Sequence, residues 1–171
     1  MKSILMGLLC LGLTNLGFSQ TKVNVEQVEL AEVTVTPFNY TYLNHVGNAN
    51  TPERVKNLQK MVSKFDIKES DVFDKKMDAF EVIFEQSDDK IIATYDNDGK
   101  IIKSYERFNN VLLPDPIRKA IYKSYPDWDL HSDLYLVNYF EGKDAKKYYK
   151  VQLRKDKKRK SLKIDANGEI K

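Results

Sequence analysis

The sequence predicts an α+β fold: two tandem helix-plus-antiparallel-meander repeats, with the helices packed on one face of the sheet. Three observations carry that expectation. Lys90 to Phe108 reads as two strands joined by a tight turn at Asp96-Asn97-Asp98-Gly99. The chain closes on Ser161 to Lys171, where Asp165-Ala166-Asn167-Gly168 repeats that turn chemistry 69 residues later. Each stretch follows a helix-like segment, so a helix and a meander recur together, as in a duplicated unit that shares one sheet.

The first twenty residues stand apart. Lys2 gives a positive start, Ile4 to Leu16 is an apolar run, and Gly17-Phe18-Ser19 puts small residues at −3 and −1 before Gln20. That is the pattern of a secretory signal peptide over residues 1–20, cleaved near Ser19 or Gln20. The run is shorter than the about 20 apolar residues that span a bilayer. The expected destination is the periplasm or the extracellular space. Cys10 is the only cysteine and lies inside the run. The mature chain therefore excludes a disulfide framework, a thiolate nucleophile and a cysteine metal site. Without Lys2 it has 27 basic residues (28 less one) against 25 acidic ones, a near-balance that does not mark a polyanion binder. The distribution is uneven. Lys143 to Lys163 holds eleven Lys or Arg and two acids, whereas Phe65 to Asp89 holds nine acids.

The rest of the chain follows in order. Residues 21–50 form an N-terminal strand and loop extension. Val33 to Thr36 reads as a short strand that Pro37 ends. Asn39 to Val46 is amphipathic but too short to assign, and Gly47 to Asn50 is a loop. Thr51-Pro52-Glu53 is a helix start, with Thr51 as the cap. Val55, Leu58, Met61, Val62 and Phe65 then recur at helical spacing to about Lys64. Asp66 to Lys76 is polar loop. Asp78 to Gln86 alternates, with Phe80, Val82 and Phe84 on one face and Glu81 and Glu85 on the other. Ile91 to Tyr95 and Ile101 to Phe108 complete the first meander. Asp115 and Pro116 start a second helix whose apolar stripe is Ile117, Ala120, Ile121 and Tyr125, and Pro126 stops it. Leu134 to Phe140 has so few polar residues that both its faces are expected to be covered. Tyr148 to Arg154 and Ser161 to Ile164 follow as strands, with a short extension after Gly168.

The order of small motifs resembles a known family. Ala93-Thr94-Tyr95-Asp96-Asn97-Asp98-Gly99-Lys100, then Leu113-Pro114 ahead of a helix, then Tyr125-Pro126 with Trp128 close behind, then Asp165-Ala166-Asn167-Gly168, is similar to the PepSY-like, beta-lactamase-inhibitor-like class of secreted bacterial proteins. The likeness runs from about Val55 to the C-terminus, within a domain of residues 51–171 whose two repeats would cover about 51–108 and 113–171. It implies an antiparallel sheet with helices on one face and the other face left for binding, with no catalytic residues. Enzyme inhibition is implied only by the better-known relatives.

Nothing in the chain assembles into catalytic machinery or a cofactor site. There is no G-x-S-x-G, no H-E-x-x-H and no glycine-rich phosphate loop. The turn at Asp96 to Gly99 invites a calcium reading. With Gly99 as the sixth loop position, however, Thr94 falls first and Tyr105 twelfth, and neither suits. The turn reads instead as backbone-capping Asp with a positive-φ glycine. His45 and His131 lack metal-site spacing. No metal and no cofactor are expected. Arg154, Lys155, Lys157, Lys158, Arg159 and Lys160 crowd a hairpin tip, a solvated turn or a dock for an acidic or anionic envelope surface; no nucleic acid is expected of an exported chain. Ten tyrosines face one tryptophan. Tyr and Trp are recognition residues, so Tyr95, Tyr105, Tyr135 and Tyr139, with Trp128 at the rim, are the candidate contacts for a protein or peptide partner in the cell envelope. The function expected is a non-catalytic binding module. The alternative is a small-ligand or envelope-associated protein using a helix/sheet pocket or the basic hairpin.

Overall fold

The computed structural model describes residues 38–171. The expected signal peptide and the strand expected at Val33 to Thr36 lie outside the described residues. The rest forms an α+β fold. Helices α1 (Tyr40–Val46), α2 (Glu53–Lys64) and α3 (Asp115–Ser124) accompany strands β1 (Ala79–Gln86), β2 (Asp89–Asp96), β3 (Ile101–Asn109), β4 (Asp129–Phe140), β5 (Lys146–Lys155) and β6 (Lys158–Asp165). All six strands pair antiparallel in sequence order, β1-β2-β3-β4-β5-β6.

Period-two alternation decides which side is the core. In β2 every odd-numbered residue from Asp89 to Tyr95 is buried and every even one is half-exposed. The strands stay in phase, because directly paired residues point to the same side. Thus Phe108, Tyr135 and Tyr149 lie opposite one another across β3, β4 and β5 and stack as a ladder, with ring centroids 6.0 and 4.5 Å apart. Val55, Leu58 and Val62 of α2, Ile117 and Ile121 of α3, and Tyr42 and Val46 of α1 join the same buried cluster. The helices therefore cover one side of the sheet, and among the described residues the other side is open.

The local starts differ from the expectation. Pro52, not Thr51, occupies the cap position of α2. The Thr51 hydroxyl instead accepts from the Asn48 backbone N–H, so it ties the preceding loop together. Likewise Pro114 caps α3, and Asp115 pairs with Arg118. Asn39 to Val46 does form a helix, and tertiary bonds hold it. Buried Asn39 donates to the Gly99 carbonyl at 3.2 Å and accepts from the Ile101 N–H at 2.7 Å, pinning α1 to the β2–β3 turn.

Both marker turns have the chemistry expected of them. Asp96 Oδ1 accepts from the N–H groups of Asp98 and Lys100, and Asp165 Oδ1 from those of Asn167 and Glu169. Gly99 and Gly168 have φ of +83° and +93°, a region open to glycine and strained for residues with a Cβ. At Gly168 a Cβ would also meet the Pro116 carbonyl oxygen at 2.8 Å. Their places in the meanders differ. The first turn joins β2 to β3. The second follows β6 and returns only a one-residue bridge, Ile170 to Ile164.

Candidate binding face

Three of the four candidate tyrosines lie on the covered side. Tyr95 is 0 % exposed, and Tyr135 and Tyr139 are 1 % exposed each. The Tyr95 hydroxyl donates to the Val62 carbonyl of α2 at 3.3 Å, and Tyr139 packs edge-on against Tyr42 of α1. These rings are core, and no partner meets them on the open side of the folded sheet. Burial pushes the hydroxyls of Tyr95 and Tyr135 well above the usual tyrosine range. Trp128 is half-buried and packs edge-on to Tyr125, at the margin of the core rather than the rim of the open face. Only Tyr105, 40 % exposed, stands on the open face.

The reason is parity. In Leu134 to Phe140 apolar residues occupy both phases, so the sequence gives no preferred inside. The structure buries Tyr135, Val137 and Tyr139 and turns Leu134, Leu136, Asn138 and Phe140 outward. The expectation that both faces of this strand are covered is thereby corrected. Leu134 and Leu136 are half-buried and Phe140 is exposed, with its ring edge-on to Tyr105 at 5.8 Å. Together they form an apolar stripe along the middle of the open face.

Basic side chains flank that stripe, and pairing registers locate them. Lys103 pairs with Phe140, Arg107 with Leu136 and Tyr105 with Asn138. Lys150 pairs with Leu134 and Lys146 with Asn138, and Lys163 pairs with Lys150. Lys103 covers the Tyr105 ring at 4.5 Å, and Lys163 covers the Tyr148 ring at 4.4 Å. Among the described residues, none of Lys103, Arg107, Lys146, Lys150 and Lys163 has a carboxylate within ion-pair distance, whereas Lys171 is held by Asp165 and Glu169. The first two strands behave differently. Glu85 and Lys90 sit directly opposite on the same face and pair at 2.8 Å. A groove of about 560 Å³ opens on the basic part, between Arg107, Ser132, Lys150, Gln152, Ser161 and Lys163.

The basic hairpin closes β5 to β6 through Asp156 and Lys157, as expected. Its six cations do not act as one patch. Lys155 pairs with Asp127 at 3.2 Å, and Lys160 covers the Tyr125 ring at 5.0 Å, so both are engaged on the helix side. Arg154 and Arg159 are cross-strand partners in the phase of Gln152 and Ser161, and they continue the open face. Lys157 and Lys158 are exposed at the tip.

Under the helices lies a polar cluster that sequence reading did not find. Glu106 is 2 % exposed. Its carboxylate accepts from Tyr42 of α1 at 2.7 Å, Gln59 of α2 at 2.7 Å and Ser104 at 2.9 Å. Burial raises its pKa above the usual carboxylate range, and the three donors oppose that rise. Lys147 of β5 shares this side and donates to the Gly47 carbonyl at 3.1 Å, and burial lowers its pKa. With both oxygens engaged by protein donors, Glu106 is suited to locking α1 and α2 onto β3 rather than to reacting with a substrate. Its one sequence signal is an acid in the phase of Ser104 and Phe108. His45 lies on α1 against Tyr139, and His131 lies at the β4 irregularity. Among the described residues, no three His, Cys, Asp or Glu side chains converge as a metal site, and no helix is long and apolar enough to cross a membrane.

No family model matches the chain, and no curated protein or solved structure matches it significantly.

Proposed function

We propose that this chain is an exported, non-catalytic binding module that recognises a protein partner through the open face of β3 to β6. The observation that carries the reading is the union on that face of a partly exposed aromatic and aliphatic stripe, centred on Tyr105, Leu136 and Phe140, with cations that have no carboxylate partner among the described residues. Apolar anchors ringed by polar groups are the usual composition of a protein interface. Exposed apolar patches on a sheet otherwise served by helices are expensive to keep unless something covers them. Glu106, the acid with the most strongly desolvated setting, has both oxygens engaged by structural donors, which favours binding over chemistry.

The same reading takes the two helix–meander units as copies, in the manner of the PepSY-like class. Supporting it are the matching Asp96 and Asp165 turns, each closing an antiparallel strand pair, and a helix ahead of each meander. Because the second turn comes one strand later, the best correspondence sets β1 and β2 beside β5 and β6, with β3 reduced to Ile170 in the second copy. Whether the partner is an enzyme that the module inhibits follows from the partner's identity.

The test is affinity capture of the tagged full-length protein from its native cells. Tyr105→Ala and Leu136→Ala should each remove a captured partner that Tyr122→Ala, on the exposed side of α3, retains. A partner retained by both open-face variants and lost with Tyr122→Ala would move the interface to the helix side and end the proposal.

A further inference from the structure

Resting on the proposed binding face, we infer that the groove at Arg107, Lys150 and Lys163 is an anchor for carboxylate side chains of the partner, and that this partner offers an extended segment with acidic residues beside apolar ones. Three observations support it.

First, Lys150 and Lys163 lie directly opposite each other across β5 and β6. In an antiparallel pair that brings their Cβ atoms within about 5 Å, where like charges destabilise the sheet. The first half of the face shows the alternative, since Glu85 and Lys90 occupy such a pair and neutralise each other. An unfavourable pair left in place over a groove is what a site for an outside anion requires.

Second, the groove offers more than charge. Arg107 enters from β3, and its planar fork suits a carboxylate. Ser132, Gln152 and Ser161 form the adjoining row across β4, β5 and β6, and can donate to the same anion. Of the acids near the groove, Asp133 in its lining is buried and accepts from the Val111 N–H, and Asp165, next to Lys163, is already used by the Asn167 and Glu169 N–H groups and by Lys171.

Third, each of the next rows of the face carries an apolar or aromatic residue beside its charged or polar ones. Leu136 sits beside Arg107, and Tyr105 and Phe140 follow along the strands. Same-face residues are spaced about 7 Å along a strand. An extended peptide lying along β4 would set an acid at the Leu134–Lys150–Lys163 row and aliphatic or aromatic side chains over Leu136 and Phe140. A phosphate-rich polymer satisfies the cations and leaves that stripe bare, so the combination points to polypeptide.

The experiment measures fluorescence-anisotropy binding of a labelled peptide, glutamates followed by leucine and phenylalanine, to the full mature chain. Its glutamine counterpart, inorganic phosphate and phosphatidylglycerol vesicles are the comparison probes. The acidic peptide should bind and its glutamine counterpart should not. Combined Lys150→Gln and Lys163→Gln should weaken binding at least about tenfold, the effect of one lost charge-assisted bond, and 0.5 M salt should weaken it as well. Lys157→Gln with Lys158→Gln, at the hairpin tip, should leave it unchanged. Thermal melting of the groove variant should be unchanged or raised, which excludes unfolding as the cause.

Peptide binding lost with Leu136→Ala but indifferent to Lys150→Gln and Lys163→Gln would overturn the carboxylate anchor while leaving the binding face intact. Binding indifferent to both sets would overturn both. Retention of only phosphate, or only vesicles, by the groove would overturn the polypeptide assignment in favour of a free anion or a lipid headgroup.

Discussion

The two faces of the β2–β5 part of the sheet use the same residue types to opposite ends. On the covered face Tyr95, Tyr135 and Tyr139 are packed out of water, and the one acid of β3, Glu106, is met by three donors. On the open face Tyr105 is exposed, and its neighbours Lys103 and Arg107 have no acidic partner among the described residues. Side-chain identity therefore does not assign a role in this protein; strand phase does. A tyrosine one position to either side would exchange a place in the core for a place on the surface.

That contrast can be attacked from its strong side first. Tyr135→Ala removes the middle ring of the Phe108–Tyr135–Tyr149 ladder and should cost about 3–5 kcal/mol, as for other large aromatic truncations, read from the denaturant midpoint. Tyr42→Phe leaves Glu106 with one donor fewer and should cost about 1–2 kcal/mol.

Glu106→Gln should change the pH dependence of stability. Burial raises the carboxyl's folded pKa above its unfolded one. The folded state therefore holds the proton to higher pH than the unfolded state does. Glu106 accordingly supports the fold most on the acid side, and its contribution falls as pH rises from the ordinary carboxylate range through the raised value. Its slope is at most about 1.4 kcal/mol per pH unit. A melting-temperature series across that window should lose this component in the Gln variant.

Tyr105→Ala, at the same depth in the sheet but on the other face, should alter stability by no more than about 0.5–1 kcal/mol, while partner capture is lost. Lys163→Gln is the smallest change. Relief of the Lys150–Lys163 opposition should stabilise the fold by about 0.2–1 kcal/mol, measurable as a slight rise in melting temperature.

Much of the fold was legible because its signals are local. The stripe Val55, Leu58, Val62 defined α2, the alternation of Phe80, Val82 and Phe84 defined β1, and Asp-x-x-Gly fixed both turns. The sidedness of β4 was not legible, since Leu134, Leu136 and Phe140 compete with Tyr135, Val137 and Tyr139 for the interior. Only long-range registry with Phe108 and Tyr149 decides between them. The candidate site inherited that ambiguity. Of five aromatic candidates, Tyr105 alone reaches the open face, and the lysines at 150 and 163 were read as part of a general basic segment rather than as a facing pair. Glu106 was invisible for a related reason, because its partners Tyr42 and Gln59 arrive from helices 64 and 47 residues away in sequence. The helix starts differ from the sequence expectation by a single residue for local reasons, since Thr51 has a competing bond to Asn48 and Asp115 pairs with Arg118.

The central claim is that recognition occurs on the open face. Its most direct measurement is site-specific photo-crosslinking in the native cells, with the photoreactive residue at Tyr105 in one strain and at Met61 or Tyr122, exposed on α2 and α3, in others. The account predicts one discrete adduct from position 105 and none from 61 or 122. A discrete adduct from the helix positions with none from 105 would contradict it.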